Sequence, residues 1–278
     1  MTAPSTAPAI GPLLRDWRQR RRLSQLDLAL DAEVSTRHLS FVETGRASPS
    51  RDLVLHLAEH LDVPLRERNT LLVAAGFAPA YRATPLQSAE MLSVRAALDI
   101  VLSGHEPLPA TVVDRRWDLV ASNQPANEII GEGVAEWLRQ PPINTMRLAL
   151  HPEGLAPRIV NFAEYSAHLL LRLKRQRAAS GDHTLAELET ELLALPGVGD
   201  PADADPSPRG MLFMPLVLRW GARELRFFST IATFGTALDI TVEELAIEQF
   251  FPADAETAEA LRRQDRPAAV ANAPSLVN

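Results

Sequence analysis

Val34-Ser35-Thr36-Arg37-His38-Leu39-Ser40-Phe41 reads as the opening of a short helix. Ser35 is a residue type that caps a helix start, and Thr44-Gly45 supplies the stop. Leu39 and Val42 stand three apart and face a core. Thr36, Arg37, Ser40 and Phe41 fall on the opposite side. Outward from this segment, residues 12–77 repeat one pattern of short helices separated by breaks of two to four residues, with no strand alternation. A first helix covers residues 12–22, with proline near its start. Ser24 opens a second that reaches Ala32. Ser50 opens a fourth, with Leu53, Leu57 and Leu61 as its apolar stripe, and a fifth spans 65–75 before Gly76. The expectation is an all-α, five-helix domain over residues 10–77.

Beyond a linker at 78–87, which holds Pro79 and Pro85, the texture changes. A helix over 88–103 precedes residues 110–122, where two β-rich runs flank Asp114-Arg115-Arg116 as a hairpin. Helices are expected at 123–130, 157–179 and 182–195, then a proline-rich loop at 196–209. Strand-like runs follow at 211–220, 225–234 and 238–250, and a last helix at 254–263. The second domain, residues 88–264, is therefore read as α+β with an antiparallel sheet of about five strands. Residues 265–278, rich in Ala, Pro and Asn, read as a disordered tail.

At 278 residues and 46% hydrophobic, the chain has enough material for two cores. The absence of cysteine excludes disulfides, thiolate metal sites and a cysteine nucleophile. The N-terminus lacks the basic start and apolar run of a secretory signal, and no stretch is apolar enough to span a bilayer, so the expected compartment is cytoplasmic and nucleoid-associated, with no membrane partner. The net charge of -7 is unevenly spread: residues 1–82 carry 11 basic against 9 acidic side chains, and the remainder 17 against 26. Five arginines, at 15, 18, 20, 21 and 22, cluster in the first helix, a pattern suited to phosphate attraction or to a solvated face.

A third helix that buries one side and offers small or hydrogen-bonding groups on the other is what a helix-turn-helix needs to enter a DNA major groove. Arg37 can bond guanine O6 and N7 together, worth roughly 1–3 kcal/mol of discrimination. Phe41 can touch a thymine methyl or can simply pack. Gln25, at the start of the second helix, can hold a phosphate, and Arg46 can clamp the DNA backbone from beyond the third helix. The candidate DNA-contacting set is Gln25, Ser35, Thr36, Arg37, His38, Ser40, Phe41 and Arg46. The expected partner is a double-stranded operator, bound by a homodimer with two reading helices about one helical turn apart or a multiple of it.

Leu23-Ser24-Gln25, Leu28-Ala29, Val34-Ser35, Leu39-Ser40, Glu43-x-Gly45-Arg46, Pro49-Ser50 and Leu57-Ala58 together resemble the Cro/C1-type (XRE) helix-turn-helix domain. The resemblance implies a structural ion pair between Arg18 and Glu43. It departs at Glu33, where the family usually places glycine in a turn of positive φ. Glu67-Arg68-Asn69, Ala75-Gly76-Phe77, Trp117 to Ser122, Asn144 to Leu150, Phe227-Phe228-Ser229-Thr230 and Asp239-Ile240-Thr241 further resemble regulators with an MmyB-like ligand-binding domain. That resemblance implies a PAS-like fold holding an apolar effector, with a fatty acid or acyl compound leading and no further cofactor. Candidate cavity residues are Trp117, Leu119, Met146, Phe162, Tyr165, Phe213, Phe227, Ile231 and Phe234; each taken singly reads more readily as ordinary core, and only the collection suggests a pocket. Arg147 and His168 are candidates for an acidic headgroup.

No enzyme is expected. His56-x-x-Glu59-His60 matches an inverted zinc-protease pattern, but it lies on the fourth helix of the expected DNA-binding bundle, and no nucleotide loop or nucleophile elbow occurs. As alternatives to ligand sensing, the second domain could serve only to dimerise the chain or to dock a protein partner, as in an antitoxin.

Overall fold

The computed structural model describes residues 9–199 and 213–262. These form two compact units. The first runs to Thr84 and takes in the short pieces Ala178–Ser180 and Thr236–Glu243; the second holds the remainder. The expected tail at 265–278 and most of the 196–209 loop lie outside the described residues.

The first unit contains five helices: α1 (Ile10–Arg20), α2 (Gln25–Asp31), α3 (Thr36–Glu43), α4 (Arg51–His60) and α5 (Leu65–Ala74). Three starts are fixed by serine. The Ser24, Ser35 and Ser50 hydroxyls accept from the backbone N–H of Asp27, His38 and Leu53, and Asp27 returns a bond to the Ser24 N–H. Leu14, Trp17, Leu28, Leu39, Val42, Leu57, Leu61, Leu71 and Leu72 close one core. The stripe of α4 differs from the one expected: Val54, Leu57, Ala58 and Leu61 are buried, and Leu53 is only half-buried. A 4,4 spacing drifts about 80° round a helix over eight residues, whereas the 3,1,3 spacing stays on one side.

In the second unit a 3-10 turn at Ala89–Met91 leads into α6 (Leu92–Gly104), followed by β1 (Ala110–Val113), β2 (Leu119–Ser122) and α7 (Gln124–Gly131). Helices α8 (Thr145–Leu150), α9 (Phe162–Ser180) and α10 (Thr184–Leu193) precede β3 (Leu216–Trp220) and β4 (Arg223–Thr233). The segment α11 (Ile240–Glu243) belongs to the first unit, and β5 (Ala246–Pro252) and α12 (Ala255–Arg262), of the second, complete the described chain. The five strands form one antiparallel sheet ordered β2-β1-β5-β4-β3. Pleating sends Ala110, Val112 and Ile247 against Leu98 and Leu102 of α6, and Val113 and Leu218 against the leucines of α9 and α10.

Two element boundaries depart from the sequence reading, and one helix was not expected. The helix expected from residue 157 begins at Phe162, because Ile159 bridges to Leu218 and the Val160 N–H bonds the Val217 carbonyl at 2.8 Å. The strand expected over 238–250 starts only at Ala246: Asp239 accepts from the Thr241 N–H at 2.8 Å and turns the chain into α11. The Asn144–Leu150 segment is a helix, α8, capped by the Asn144 side chain.

Candidate DNA-reading helix and apolar cavity

Helix α3 buries Leu39, Val42 and Glu43 and leaves Thr36, Arg37 and His38 exposed, with Ser40 and Phe41 half-buried. The Arg37 guanidinium lies 5.3 Å from the centroid of the Phe41 ring, one turn along the same helix. Phe41 thus serves as a platform that limits where the guanidinium can point. The helix ends in a Schellman turn. The Arg46 N–H bonds the Phe41 carbonyl at 2.8 Å and the Gly45 N–H bonds that of Val42 at 3.1 Å, with Gly45 at φ +72°. That turn is why glycine precedes Arg46, whose exposed side chain leaves the helix end at a fixed place.

Glu43 anchors the same helix from its buried side. Its carboxylate takes a bidentate bond from Arg18, 2.7 Å from Nε and 2.9 Å from Nη2, and a third bond from the Gln25 amide at 2.7 Å. Burial pushes the Glu43 carboxyl up, but the Arg18 and Gln25 bonds and the charges of Arg18 and Arg15 outweigh it and hold it below the usual glutamate range. The Arg18–Glu43 pair implied by the resemblance is therefore present. Gln25, a phosphate candidate in the sequence, spends its amide on this pair, and the Ser35 hydroxyl is occupied as a cap. The arginine cluster also divides: Arg20 bonds Asp16, and Arg21 bonds the Leu61 and Asp62 carbonyls at 2.8 and 2.7 Å. Guanidinium forks satisfy the carbonyls left over at the end of α4, so this run is largely structural rather than free for phosphate. Glu33 adopts φ +52°, the glycine-like turn where the sequence departs from the family.

One residue, Gly11, escaped the sequence reading, and so did the role of Arg15. Gly11 sits where an added Cβ would come within 2.5 Å of the Glu43 carbonyl and 2.6 Å of that of Val42, so α1 meets the end of α3 backbone to backbone. Arg15 brings a second cation within 3.6 Å of the Glu43 carboxylate. His60 bonds Asp31 and His56 bonds the Ala32 carbonyl. No group of three or more potential metal ligands occurs among the described residues.

The second unit holds a partly open cavity of about 100 Å³, walled mostly by apolar side chains of α7, α8, α9 and the sheet. Of the candidates read from sequence, Trp117, Met146, Tyr165 and Phe227 line it. Leu119 packs instead with Ile130 and Leu138, Phe162 with the α9–α10 core, and Phe234 with the α6 core. Phe213 meets Phe228 in a tilted contact, ring centroids 5.2 Å apart, and is half-exposed, as is Ile231 on β4. Arg147 is bonded through Nη2 to Glu191 at 2.7 Å, and neither it nor His168 lines the cavity. Burial and the Arg172 charge push the His168 imidazole down, toward its neutral form.

Trp117 holds its place through an unusual backbone. It adopts φ +68°, its indole N–H donates to Gln176 at 2.7 Å, and the Arg172 guanidinium lies 4.2 Å from its ring. The residue that sequence reasoning missed is Glu248 of β5, buried at the cavity wall and paired with Arg172 at 2.8 Å. Its alternation in Ala246-Ile247-Glu248-Gln249 suggests a solvent-facing position, and only the distant Arg172 on α9 shows otherwise.

A family model described as the MmyB-like transcription regulator ligand binding domain matches residues 94–263, and a helix-turn-helix domain model matches residues 9–71. No curated protein matches the chain. No helix among the described residues is long and apolar enough to cross a membrane. Matched over more than half its length, and with a helix-turn-helix domain ahead of that match, the chain belongs to the MmyB-like family of DNA-binding transcription regulators.

Proposed function

We propose that this regulator binds a specific double-stranded operator as a homodimer, with α3 in the major groove and Arg37 as its principal base reader. The observation that carries the reading is the two-sidedness of α3: Leu39, Val42 and Glu43 are locked inside, while the Arg37 guanidinium is held over Phe41 on the outside. Arg46, fixed at the end of α3, is the backbone clamp, and Thr36, His38 and Ser40 complete the contact face. An operator selected from random duplexes tests this division. Arg37→Ala is expected to lower preference for the selected site by about tenfold and to leave weak non-specific binding in place. Arg46→Ala is expected to weaken all sequences alike and to reduce the salt slope by about one. Equal effects from the two variants would sink the assignment.

The second domain, in this reading, holds an apolar effector in the cavity between α7, α8, α9 and the sheet, with the acyl-type compound implied by the resemblance as the starting candidate. Trp117, Met146, Tyr165 and Phe227 supply the walls. An effector regulates DNA binding only as far as it favours one dimer geometry over another. Native mass spectrometry of the purified protein reads dimerisation and any co-purified molecule together. A monomer at micromolar concentration would overturn the dimer.

A further inference from the structure

We propose that residues 236–243, the part of the β4–β5 connection that belongs to the first unit, form the latch through which the second domain acts on the DNA-reading helix. This rests on reading the cavity as the effector site. Strands β4 and β5 pair from Phe227 opposite Pro252 to Thr233 opposite Ala246, and Phe227, Glu248 and Phe250 on them line the cavity. Between Thr233 and Ala246 the chain passes into the first unit and leaves it after Glu243. Glu248 therefore stands five residues beyond Glu243.

Within the first unit this segment supplies what the local sequence lacks. Helices α2, α3 and α4 start on their own serines, whereas α5 starts after Pro64, which offers no side-chain cap. The Leu65 N–H is one of the donors that a helix start leaves unpaired, and it bonds the Glu243 carboxylate at 2.8 Å. The carboxylate also stands at the positive end of the α5 dipole. Four residues earlier, Asp239 accepts from the Thr84 hydroxyl at 2.6 Å and from the Thr84 N–H at 3.2 Å, and the Ile240 N–H donates to the Arg82 carbonyl at 2.8 Å. Ile240 is buried, and α11 packs on α5. One segment thus caps α5 and fixes residues 82–84.

Helix α5 passes the constraint on. Its Leu71 and Leu72 share a core with Leu14 and Trp17 of α1 and with Leu39 and Val42 of α3, and close-packed side chains transmit a shift rather than absorb it. The end of α9, Ala178–Ser180, also belongs to the first unit, but the Arg21 bond to the Ala179 carbonyl is 3.5 Å long, at the outer limit of a hydrogen bond. A molecule that shifts β4 or β5 on entering the cavity pulls on the ends of the latch, and it biases DNA binding as far as it favours one latch position over another.

Octanoate, a short acyl probe, and a labelled operator duplex test the idea on the full-length protein. Octanoate is expected to change the operator affinity of the unaltered protein at least about fivefold. Glu243→Ala removes the cap of α5, and Thr84→Val removes one hydroxyl bond to Asp239 while keeping the side chain's shape. Both variants should bind octanoate within about twofold of the unaltered protein, by calorimetry, while its effect on operator affinity falls below about twofold. Glu243→Gln keeps an oxygen for the Leu65 N–H and should respond at least about threefold. A cap with a merely structural role would lower operator affinity equally with and without octanoate and leave the response intact. A full response in either Glu243→Ala or Thr84→Val would overturn the latch and leave the effector site standing. No response in the unaltered protein would remove the sensor reading and the latch with it.

Discussion

The Arg37 guanidinium and the Phe41 ring are 5.3 Å apart on an exposed helix face, a separation at which a cation–π contact is worth about 0.5–1 kcal/mol. Phe41→Leu keeps an apolar side chain against the bundle but removes the aromatic platform. It is expected to leave the melting temperature nearly unchanged and to weaken operator binding two- to fivefold by about that energy, read by titration of labelled duplex. A loss confined to stability would mean that Phe41 only packs. Glu43 acts from the other side of the helix. Its carboxyl is held below the ordinary value of 4.5, so its contribution to stability is complete above that value and disappears as the pH falls through the lower native one. Glu43→Gln should cost about 2 kcal/mol at pH 7 and flatten the acid limb of stability below about pH 5, as measured by thermal melts of the two proteins across pH 3 to 7. A variant with an unaltered acid limb would place the acid-sensitive group elsewhere.

At the scale of elements, helix α3 is positioned by contacts of two kinds, the Arg18–Glu43 pair and the close approach of α1 at Gly11. An alanine at residue 11 would put its Cβ inside the Glu43 and Val42 carbonyls, which belong to helix backbone and cannot rotate away. Gly11→Ala is therefore expected to cost about 1–3 kcal/mol despite alanine's higher helix propensity, and to lower operator affinity with it. Chemical denaturation checks the first part; a more stable variant would show that α1 and α3 do not meet this closely. The contrast explains what could be read from sequence. Ser24, Ser35 and Ser50 announce helix starts because capping is a bond to a residue three positions on. Asn123 was legible as the start of α7 for the same reason. Its four bonds, to the N–H groups of Ala110 and Ala126 and the carbonyls of Leu102 and Leu108, were not, since they join three elements. Apolar cavity residues such as Met146 and Phe227 could be named, but Leu119 and Phe234 look the same in sequence and serve other cores, and Phe162 packs in the same core without lining the cavity. Glu248 was invisible because its partner lies 76 residues earlier.

For the molecule as a whole, the sign of the charge is divided: the first 82 residues have 11 basic against 9 acidic side chains and the rest 17 against 26. An acidic second domain gives no long-range attraction to DNA, so the proposed operator binding rests on α3 and, in the proposed dimer, on a second copy of it. The second unit offers a face for that joining. Leu92, Ala96 and Ile100 lie four apart along the outside of α6, and Leu92 and Ile100 are 65% and 72% exposed. Exposed apolar side chains such as these suit burial against a second copy in the proposed dimer. Ile100→Glu would place two carboxylates at such an interface and should yield a monomer by sedimentation, with the fold of each unit intact by circular dichroism. Each half-site would then be bound alone, without the millimolar effective concentration that a linked second reader experiences, and operator affinity should fall about a hundredfold. A monomeric variant with full affinity would show that one copy of α3 suffices. A variant that stays dimeric would move the interface off α6 and leave the bivalent reading of the operator standing.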